Sequence, residues 1–138
     1  IYNSKNPFLN DRSWYYPYPM ELAELNQAAS SLLGLHDFTS FAKRRTQVYT
    51  HICTISVCQW HETEDGWVFM VEGNRFLRGM VRALVGTMVK VGRKKISVES
   101  FQNLLLSKDS AMADFSAPGH GLFLDDVIYP SEITALLK

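Results

Sequence analysis

Apolar and polar residues follow helical spacing from Asn74 to Gly92, and this stretch predicts a strongly amphipathic helix. One broad arc, which we expect to face the core, carries Phe76, Leu77, Met80, Val81, Leu84, Val85 and Met88. The opposite side carries Arg75, Arg78, Gly79, Arg82 and Gly86. A glycine inside a helix costs about 1 kcal/mol relative to alanine. Two glycines beside Arg82 therefore indicate that something approaches this side closely, the alternative being a solvated face that tolerates them.

Helical spacing recurs nearer the start of the chain, after an aromatic and proline-rich segment (residues 1–19) that we expect to be extended. The apolar positions of this first helix are Leu22, Leu25, Ala29, Leu32 and Leu33. Pro19 suits its first turn, and Gly34 suits its end. A shorter helix is predicted to begin near Ser97, with an apolar face of Val98, Phe101, Leu104 and Leu105.

Strand patterns lie between the helices. Residues Val48 to Trp60 are rich in β-branched side chains and alternate, Glu64-Asp65-Gly66 is a hairpin turn signal, and Trp67–Val71 is the return strand. A last strand is predicted from Gly121 to Tyr129. The order (strand)–helix–strand–strand–helix–helix–strand is close to a split βαβ unit. We therefore predict a single α+β domain over residues 1–138, ferredoxin-like with one added helix and a mixed or antiparallel sheet.

The composition is that of an ordinary globular protein, because 46% of the 138 residues are hydrophobic and 20% are charged. Fourteen Lys and Arg balance 14 Asp and Glu, so the net charge does not indicate a nucleic-acid partner. The charges are nevertheless clustered: residues 43–45 and 93–95 are basic triplets, while Glu62, Glu64 and Asp65 form an acidic tip. Basic triplets of this kind either bind phosphate or lie in solvated loops.

Cys53 and Cys58 are five residues apart in one predicted strand. Strict alternation would place their side chains on opposite faces, so we expect no disulfide between them. His51 and His61 lie nearby, but an extended segment cannot bring all four side chains to one tetrahedral zinc, so no metal site is predicted. Two free thiols fit a reducing cytoplasm.

No complete catalytic motif of the Walker, His-Glu-x-x-His, Cys-x-x-Cys or Gly-x-Ser-x-Gly type is present in the sequence. Asp37 follows a histidine, but we expect it to cap a turn or helix while Phe38 and Phe41 pack into the core. Asp125 and Asp126 are adjacent in the predicted last strand and so point to opposite faces, which excludes a catalytic dyad. The residues alone predict an α+β domain with an arginine-lined groove.

Three segments resemble the C-terminal half of the tRNA pseudouridine synthase A family, in matching order and spacing, over nearly all of residues 1–138. They are Gly34–Phe41 (Gly-Leu-His-Asp-Phe-Thr-Ser-Phe), Asn74–Gly86 (Asn-Arg-Phe-Leu-Arg-Gly-Met-Val-Arg-Ala-Leu-Val-Gly) and Ala117–Leu122 (Ala-Pro-Gly-His-Gly-Leu). The middle segment is the most specific of the three. The resemblance implies the pseudouridine synthase fold.

The resemblance also implies an isomerase that converts uridine to pseudouridine in the anticodon stem-loop of tRNA, at positions 38–40. The family cleaves the N1–C1′ glycosidic bond, reorients the base and rejoins it through C5, with no cofactor. Its essential aspartate lies in an Arg-Thr-Asp motif of the N-terminal half. No aspartate follows Arg-Thr here, so we expect this chain to lack the nucleophile and to be inactive alone. The family's active-site tyrosine belongs to a motif that ends near the start of this chain, where Tyr2 is the candidate.

The same resemblance implies roles for individual side chains. Arg82 matches the family arginine that pairs with the catalytic aspartate, and its planar fork can hold a carboxylate through two parallel hydrogen bonds. Leu122 matches an apolar residue that packs against the target base, which has to leave its stack to react. Phosphate contacts, which position RNA without reading its sequence, are expected from Lys43, Arg44, Arg45, Arg75 and Arg78.

The implied partners are tRNA and a second copy of the protein, because the family acts as a homodimer whose two subunits grip each tRNA. The chain does not begin with Met, and we expect Ile1 to be a cut edge after an N-terminal half that is absent here. Neither a signal peptide nor a membrane-spanning pattern is visible, so the cytoplasm is the expected location. The alternatives are a non-catalytic RNA-binding or dimerisation module on the same fold, or a folding unit without activity.

Overall fold

The structure is a computed structural model that describes residues 1–3, 12–44 and 50–123. Its three helices are α1 (Leu22–Ser30), α2 (Met80–Gly92) and α3 (Val98–Ser107). Its three strands are β1 (Gly34–Asp37), β2 (Ile52–Glu62) and β3 (Trp67–Gly73). The strands pair antiparallel in the order β1-β2-β3. The predicted α+β class and antiparallel sheet are therefore confirmed, while most of the predicted last strand, Gly121–Tyr129, lies outside the described residues.

The predicted hairpin is confirmed. Residues 63–66 connect β2 to β3, and Thr63 closes the turn by donating its N–H to the Gly66 carbonyl at 2.8 Å. Both strands run further than predicted, to Glu62 and to Gly73. β1 was not predicted, because a four-residue Gly-Leu-His-Asp strand carries too little alternation to be recognised.

A β-bulge between Ile55 and Val57 makes one sequence prediction wrong. The side chains of Cys53 and Ile55 point into the core before the bulge, and those of Cys58 and Trp60 do so after it. The extra residue of a bulge shifts the alternation by one position. Both cysteines therefore lie on the buried face, not on opposite faces, and both are free thiols.

The helix predicted from Asn74 begins only at Met80. Gly79 has φ +72°, in the left-handed region that interrupts a helix, and its carbonyl accepts the N–H of Ala83 at 2.9 Å. Residues 74–79 instead cross from β3 to α2, so Phe76 is 42% exposed and does not support the helix from the core. Met80 and the preceding Leu77 are buried, as predicted.

The core lies between the sheet and the helices. Its largest fully buried side chains are Trp60, Phe38, Phe41, Phe101, Leu25, Leu32, Ile55, Met80, Leu84, Met88, Val89 and Val91. The prediction that Phe38 and Phe41 belong to the core is confirmed. The predicted last helix is confirmed too, since Ser97 caps α3 by accepting the Ser100 N–H at 3.0 Å.

Two side chains at the edge of this core connect parts of the chain that are far apart in sequence. Asn26 of α1 bonds to both backbone groups of Trp60, accepting its N–H at 2.8 Å and donating to its carbonyl at 3.2 Å. Arg93, which follows α2, donates to the Tyr16 hydroxyl at 3.0 Å and stacks 3.9 Å from the ring centre of Tyr18. The aromatic segment near the start of the chain is thereby held against the end of α2.

No helix in the described part of the chain is long and apolar enough to cross a membrane.

Candidate active site

Arg82 lies in the first turn of α2, and its guanidinium is held by backbone carbonyls. Its Nε donates to the Ala117 carbonyl at 2.6 Å, and its Nη2 donates to the Phe115 carbonyl at 3.3 Å. Arginine has five N–H donors in a planar fork. The edge formed by Nε and Nη2 is thus occupied, while no described residue accepts from Nη1 or forms an ion pair with Arg82. The Nη1–Nη2 edge is the one that can receive a carboxylate.

The carbonyls that hold Arg82 belong to residues 113–118, here called the α2 strap, which lies along one side of α2. Asp114 in this segment donates its N–H to Thr87 Oγ1 at 3.1 Å and pairs its carboxylate with Lys90 Nζ at 3.1 Å. Arg82, Gly86 and Lys90 recur every four residues and therefore share one side of the helix. The α2 strap covers this side.

Gly86 permits the close approach that its sequence context predicts. A Cβ atom at this position would collide with the Asp114 carbonyl oxygen and lie 3.2 Å from the carbonyl carbon. Gly79 serves a different purpose, since it has a positive φ and a Cβ there would lie 2.8 Å from Lys43 Cγ. What approaches α2 at Gly86 is the protein's own backbone.

Asp114 carries an ionised carboxylate that is held on two sides. Partial burial would raise the pKa of Asp114, but the hydroxyl of Ser116, its N–H at 2.8 Å and the ammonium group of Lys90 lower it below its ordinary value. The Thr87 hydroxyl donates to the Ala83 carbonyl at 2.7 Å, so its oxygen is oriented to accept from Asp114. The α2 strap is therefore bonded to α2 at several points along its length.

The five residues predicted to contact phosphate do not all lie in one region of the structure. Lys43 and Arg78 are joined where the Lys43 N–H donates to the Arg78 carbonyl at 3.0 Å, one turn before Arg82. Arg75 lies in the same crossing segment and is half-buried. Arg44 is turned toward the segment that follows α3, with Nη2 3.8 Å from Asp109.

Arg45, the remaining predicted contact, lies outside the described residues, as do Asp125 and Asp126. The described part of the basic surface near Arg82 therefore consists of Lys43, Arg75 and Arg78.

Leu122 follows the α2 strap and is 49% exposed. Its N–H closes a single helical turn by donating to the Gly119 carbonyl at 3.0 Å. His120 in the same turn bonds through Nε2 to the Ser13 carbonyl at 3.0 Å, which ties this loop to the aromatic segment. The loop presents an apolar side chain to solvent a few residues beyond the carbonyl that holds Arg82.

Asp37 has the structural role that the sequence predicts. Its carboxylate accepts the Thr39 N–H at 2.9 Å and also the Thr39 hydroxyl. Partial burial would raise the pKa of Asp37, but these bonds, with Lys108 and His51, lower it below its ordinary value. The carboxylate caps the turn before Phe41.

The side chains considered for a metal or for cysteine chemistry form no reactive site. Within residues 1–3, 12–44 and 50–123, no group of three His, Cys, Asp or Glu side chains could hold a metal ion. Burial raises the pKa of Cys58 to about 12 and raises that of Cys53 as well, so both remain thiols at neutral pH.

Tyr2, the candidate for the family's active-site tyrosine, is buried, 4% exposed, and packs on Tyr15.

Comparison with known proteins finds relatives of this chain. A family-wide sequence model described as tRNA pseudouridine synthase matches residues 28–130. Proteins named tRNA pseudouridine synthase A are similar over almost the whole chain: that of Bacteroides fragilis is 44% identical over 130 residues (94% of this chain, 52% of the relative), and that of Parabacteroides distasonis is 41% identical over 133 (96% and 53%). The Bacillus subtilis protein of that name is 37% identical over 131 residues (94% and 53%).

This chain belongs to the tRNA pseudouridine synthase family. It spans about half the length of the curated relatives it matches, and the match falls in their C-terminal half. The resemblance carried by its three segments is thereby confirmed, and the fold agrees with the pseudouridine synthase fold. The family is one of isomerases.

Three side chains that build this site were missed by sequence reasoning: Thr87, Lys90 and Asp114. Each contributes to a contact between residues 24 or 27 positions apart, which no local pattern encodes. A usable signal was nevertheless present. Lys90 follows Gly86 by one helical turn, and Asp114-Phe115-Ser116 has the spacing of an aspartate that caps the N–H two residues on.

Proposed function

We propose that this chain forms the C-terminal half of an enzyme that isomerises uridine to pseudouridine in the anticodon stem-loop of tRNA, at positions 38–40. The observation that carries the proposal is the orientation of Arg82 in a chain of this family. Two backbone carbonyls hold one edge of its guanidinium and leave the other edge for a carboxylate. That carboxylate, the nucleophilic aspartate, comes from a part of the enzyme outside this sequence.

Arg82 keeps the incoming carboxylate ionised and oriented. A cation within about 4–6 Å lowers the pKa of a carboxyl group by about 1–3 units. Two parallel hydrogen bonds from the guanidinium also fix the plane of the carboxylate. Lysine at this position would keep the charge, but it would lose both the fork and the hydrogen bond from Nε to Ala117.

The reaction is an isomerisation and needs no cofactor. The N1–C1′ bond breaks and a C5–C1′ bond forms, while C5 loses its proton and N1 becomes protonated. The target base has to leave its stack, and a flipped base is held by an apolar wall and a polar edge. Leu122 supplies the apolar wall, since its half-exposed side chain lies one short turn after the α2 strap.

The tRNA backbone binds to the basic side chains near the start of α2. Lys43, Arg75 and Arg78 lie in or beside the segment that leads into α2, and Arg44 and Arg45 are the further predicted phosphate contacts. Such contacts release counterions, so affinity falls steeply as salt rises. We further propose that the enzyme is a cytoplasmic homodimer whose two subunits grip one tRNA. Sedimentation at two protein concentrations tests the dimer, and a monomer at both would refute it.

Tritium release from tRNA labelled at C5 of uridine measures the reaction directly. In the full-length enzyme, Arg82→Lys is expected to lower kcat by about 100-fold, as expected for misplacing a reacting group by roughly 1 Å. Arg44→Lys is the matched control, because a phosphate contact needs the charge and not the fork, and it is expected to retain nearly full activity.

Two outcomes would contradict the proposal. Arg82→Lys activity equal to that of Arg44→Lys would remove Arg82 from the site. A wild-type full-length protein that binds tRNA without releasing tritium would instead be a non-catalytic RNA-binding module. The 138-residue chain alone is expected to release no tritium, and release by it would show that no carboxylate from outside this sequence is needed.

A further inference from the structure

Asp114 is the point at which the α2 strap is most strongly attached to α2. Its N–H donates to Thr87 Oγ1, one carboxylate oxygen pairs with Lys90, and the other accepts the Ser116 N–H. Its carbonyl oxygen rests against Gly86, where only a glycine leaves room. Four different groups of one residue thus make separate contacts.

The residues that hold Arg82 come directly after Asp114. Phe115 and Ala117 supply the two carbonyls, and Ser116, which lies between them, is fixed by the Asp114 carboxylate. Those carbonyls can hold the guanidinium only if the α2 strap keeps its conformation. Because misplacing a reacting group by about 1 Å can cost 100-fold in rate, the support of Arg82 matters to catalysis.

We propose that Asp114 is a positioning residue for the isomerisation, acting through the α2 strap to set the orientation of Arg82 toward the catalytic carboxylate. The inference rests on the proposed function. Asp114 touches neither tRNA nor the reacting atoms, and Lys90 and Thr87 support it. Replacing its carboxylate by an amide removes the ion pair with Lys90 and weakens the hydrogen bond from Ser116, and the two carbonyls then no longer hold the guanidinium in one plane.

Asp109 offers a matched control, because its local chemistry is nearly the same. Its carboxylate accepts the Ala111 N–H at 3.0 Å and lies 3.8 Å from Arg44. It therefore caps a turn and pairs with a cation as Asp114 does. No hydrogen bond or ion pair joins its side chain to α2 or to the carbonyls that hold Arg82. A general effect of removing an aspartate from this region would appear equally in Asp109→Asn.

The first measurement is spectroscopic and needs no activity. In the isotope-labelled 138-residue chain, the Arg82 Nε–H is expected to exchange slowly with solvent, because it is bonded to the Ala117 carbonyl. Asp114→Asn is expected to speed this exchange by about tenfold, the equivalent of losing one net hydrogen bond. Asp109→Asn is expected to leave it unchanged. Equal exchange in the two variants would overturn the proposal.

The second measurement is kinetic, in the full-length enzyme. Asp114→Asn is expected to lower kcat for tritium release by about 10- to 100-fold, the cost typical of losing a residue that orients a site group. The KM for tRNA is expected to change less than twofold, since Asp114 does not touch RNA. A kcat no lower than that of Asp109→Asn, or a loss confined to KM, would overturn the proposal.

Thr87→Val gives a second variant should Asp114→Asn fail to fold. It keeps the buried shape and removes the oxygen that accepts the Asp114 N–H and that donates to the Ala83 carbonyl. It is expected to speed Arg82 Nε–H exchange in the same direction, and no change in this variant would overturn the proposal. If the wild-type enzyme forms no pseudouridine, the proposed function fails, while the exchange of Arg82 still decides whether Asp114 positions it.

Discussion

Substituting Gly86 by alanine tests the contact between α2 and the α2 strap most directly. In a helix interior this change alone would stabilise the protein by about 1 kcal/mol, because alanine has the higher helix propensity. Here the new Cβ would collide with the Asp114 carbonyl oxygen and lie 3.2 Å from the carbonyl carbon. These are backbone atoms, so no side-chain rotation relieves the overlap. The α2 strap has to move.

The expected magnitude follows from what this movement costs. Overpacking typically costs about 1–3 kcal/mol. Moving the α2 strap also weakens the hydrogen bond from Asp114 to Thr87, worth about 1 kcal/mol net. The gain in helix propensity of about 1 kcal/mol offsets the weakened hydrogen bond, so Gly86→Ala is expected to lower the free energy of unfolding by about 1–3 kcal/mol. The sign is thus opposite to that expected for an exposed helix.

Urea unfolding of the 138-residue chain gives the change in free energy, with Gly119→Ala as the control. Nothing lies within 4 Å of a Cβ built at Gly119, so that variant is expected to be close to neutral. In the full-length enzyme Gly86→Ala is also expected to lower kcat, because it displaces the carbonyls that hold Arg82. A Gly86→Ala variant that is about 1 kcal/mol more stable than wild type, with unchanged kcat, would refute the reasoning.

Two further predictions concern charge. The double variant Lys43→Gln, Arg78→Gln of the full-length enzyme is expected to bind tRNA more weakly. It is also expected to reduce the slope of log affinity against log salt concentration by about 1 per lost phosphate contact. An unchanged slope in a binding titration would remove both residues from the RNA surface. Asp37 has a pKa below its ordinary value, so its contribution to stability is present above about pH 4 and is lost as the pH falls through the folded-state pKa. Asp37→Asn is therefore expected to lower the free energy of unfolding at pH 6, as measured by urea unfolding. Between pH 4 and 2 the free energy of unfolding is expected to fall less in this variant than in the wild type. The same pH dependence in both proteins would contradict this role.

Local patterns were sufficient to predict the elements whose stabilising contacts are local. The hairpin around Gly66, the start of α3 near Ser97 and the turn capped by Asp37 all depend on residues a few positions apart, and each was predicted. The start of α2 was not predicted. The apolar periodicity already includes Leu77, but the left-handed conformation of Gly79 prevents the helix from beginning before Met80. The bulge that turns Cys58 inward is likewise invisible to a strict alternation.

The site was predictable in part. The family resemblance points to Arg82 and Leu122, and the glycine at position 86 indicates a close approach. The sequence could not show that the approaching group is the backbone of residues 113–118, since the bond from Arg82 to Ala117 joins residues 35 positions apart. Contacts of this kind depend on the path of the whole chain. The pairing of Arg44 with Asp109, 65 positions further along the chain, could not be predicted for the same reason, and the phosphate contacts stay a prediction.

The pair of hydrogen bonds between Asn26 and Trp60 has a consequence for solubility. β1 pairs with β2 only from Ile52 to Ile55, so beyond that point the same edge of β2 has no neighbouring strand among the described residues. An open edge is a template on which another chain can add a strand and begin to aggregate. The Asn26 amide occupies the N–H and carbonyl of Trp60 as a peptide group of an adjacent strand would. One side chain of α1 therefore shields this edge from newly made copies of the protein.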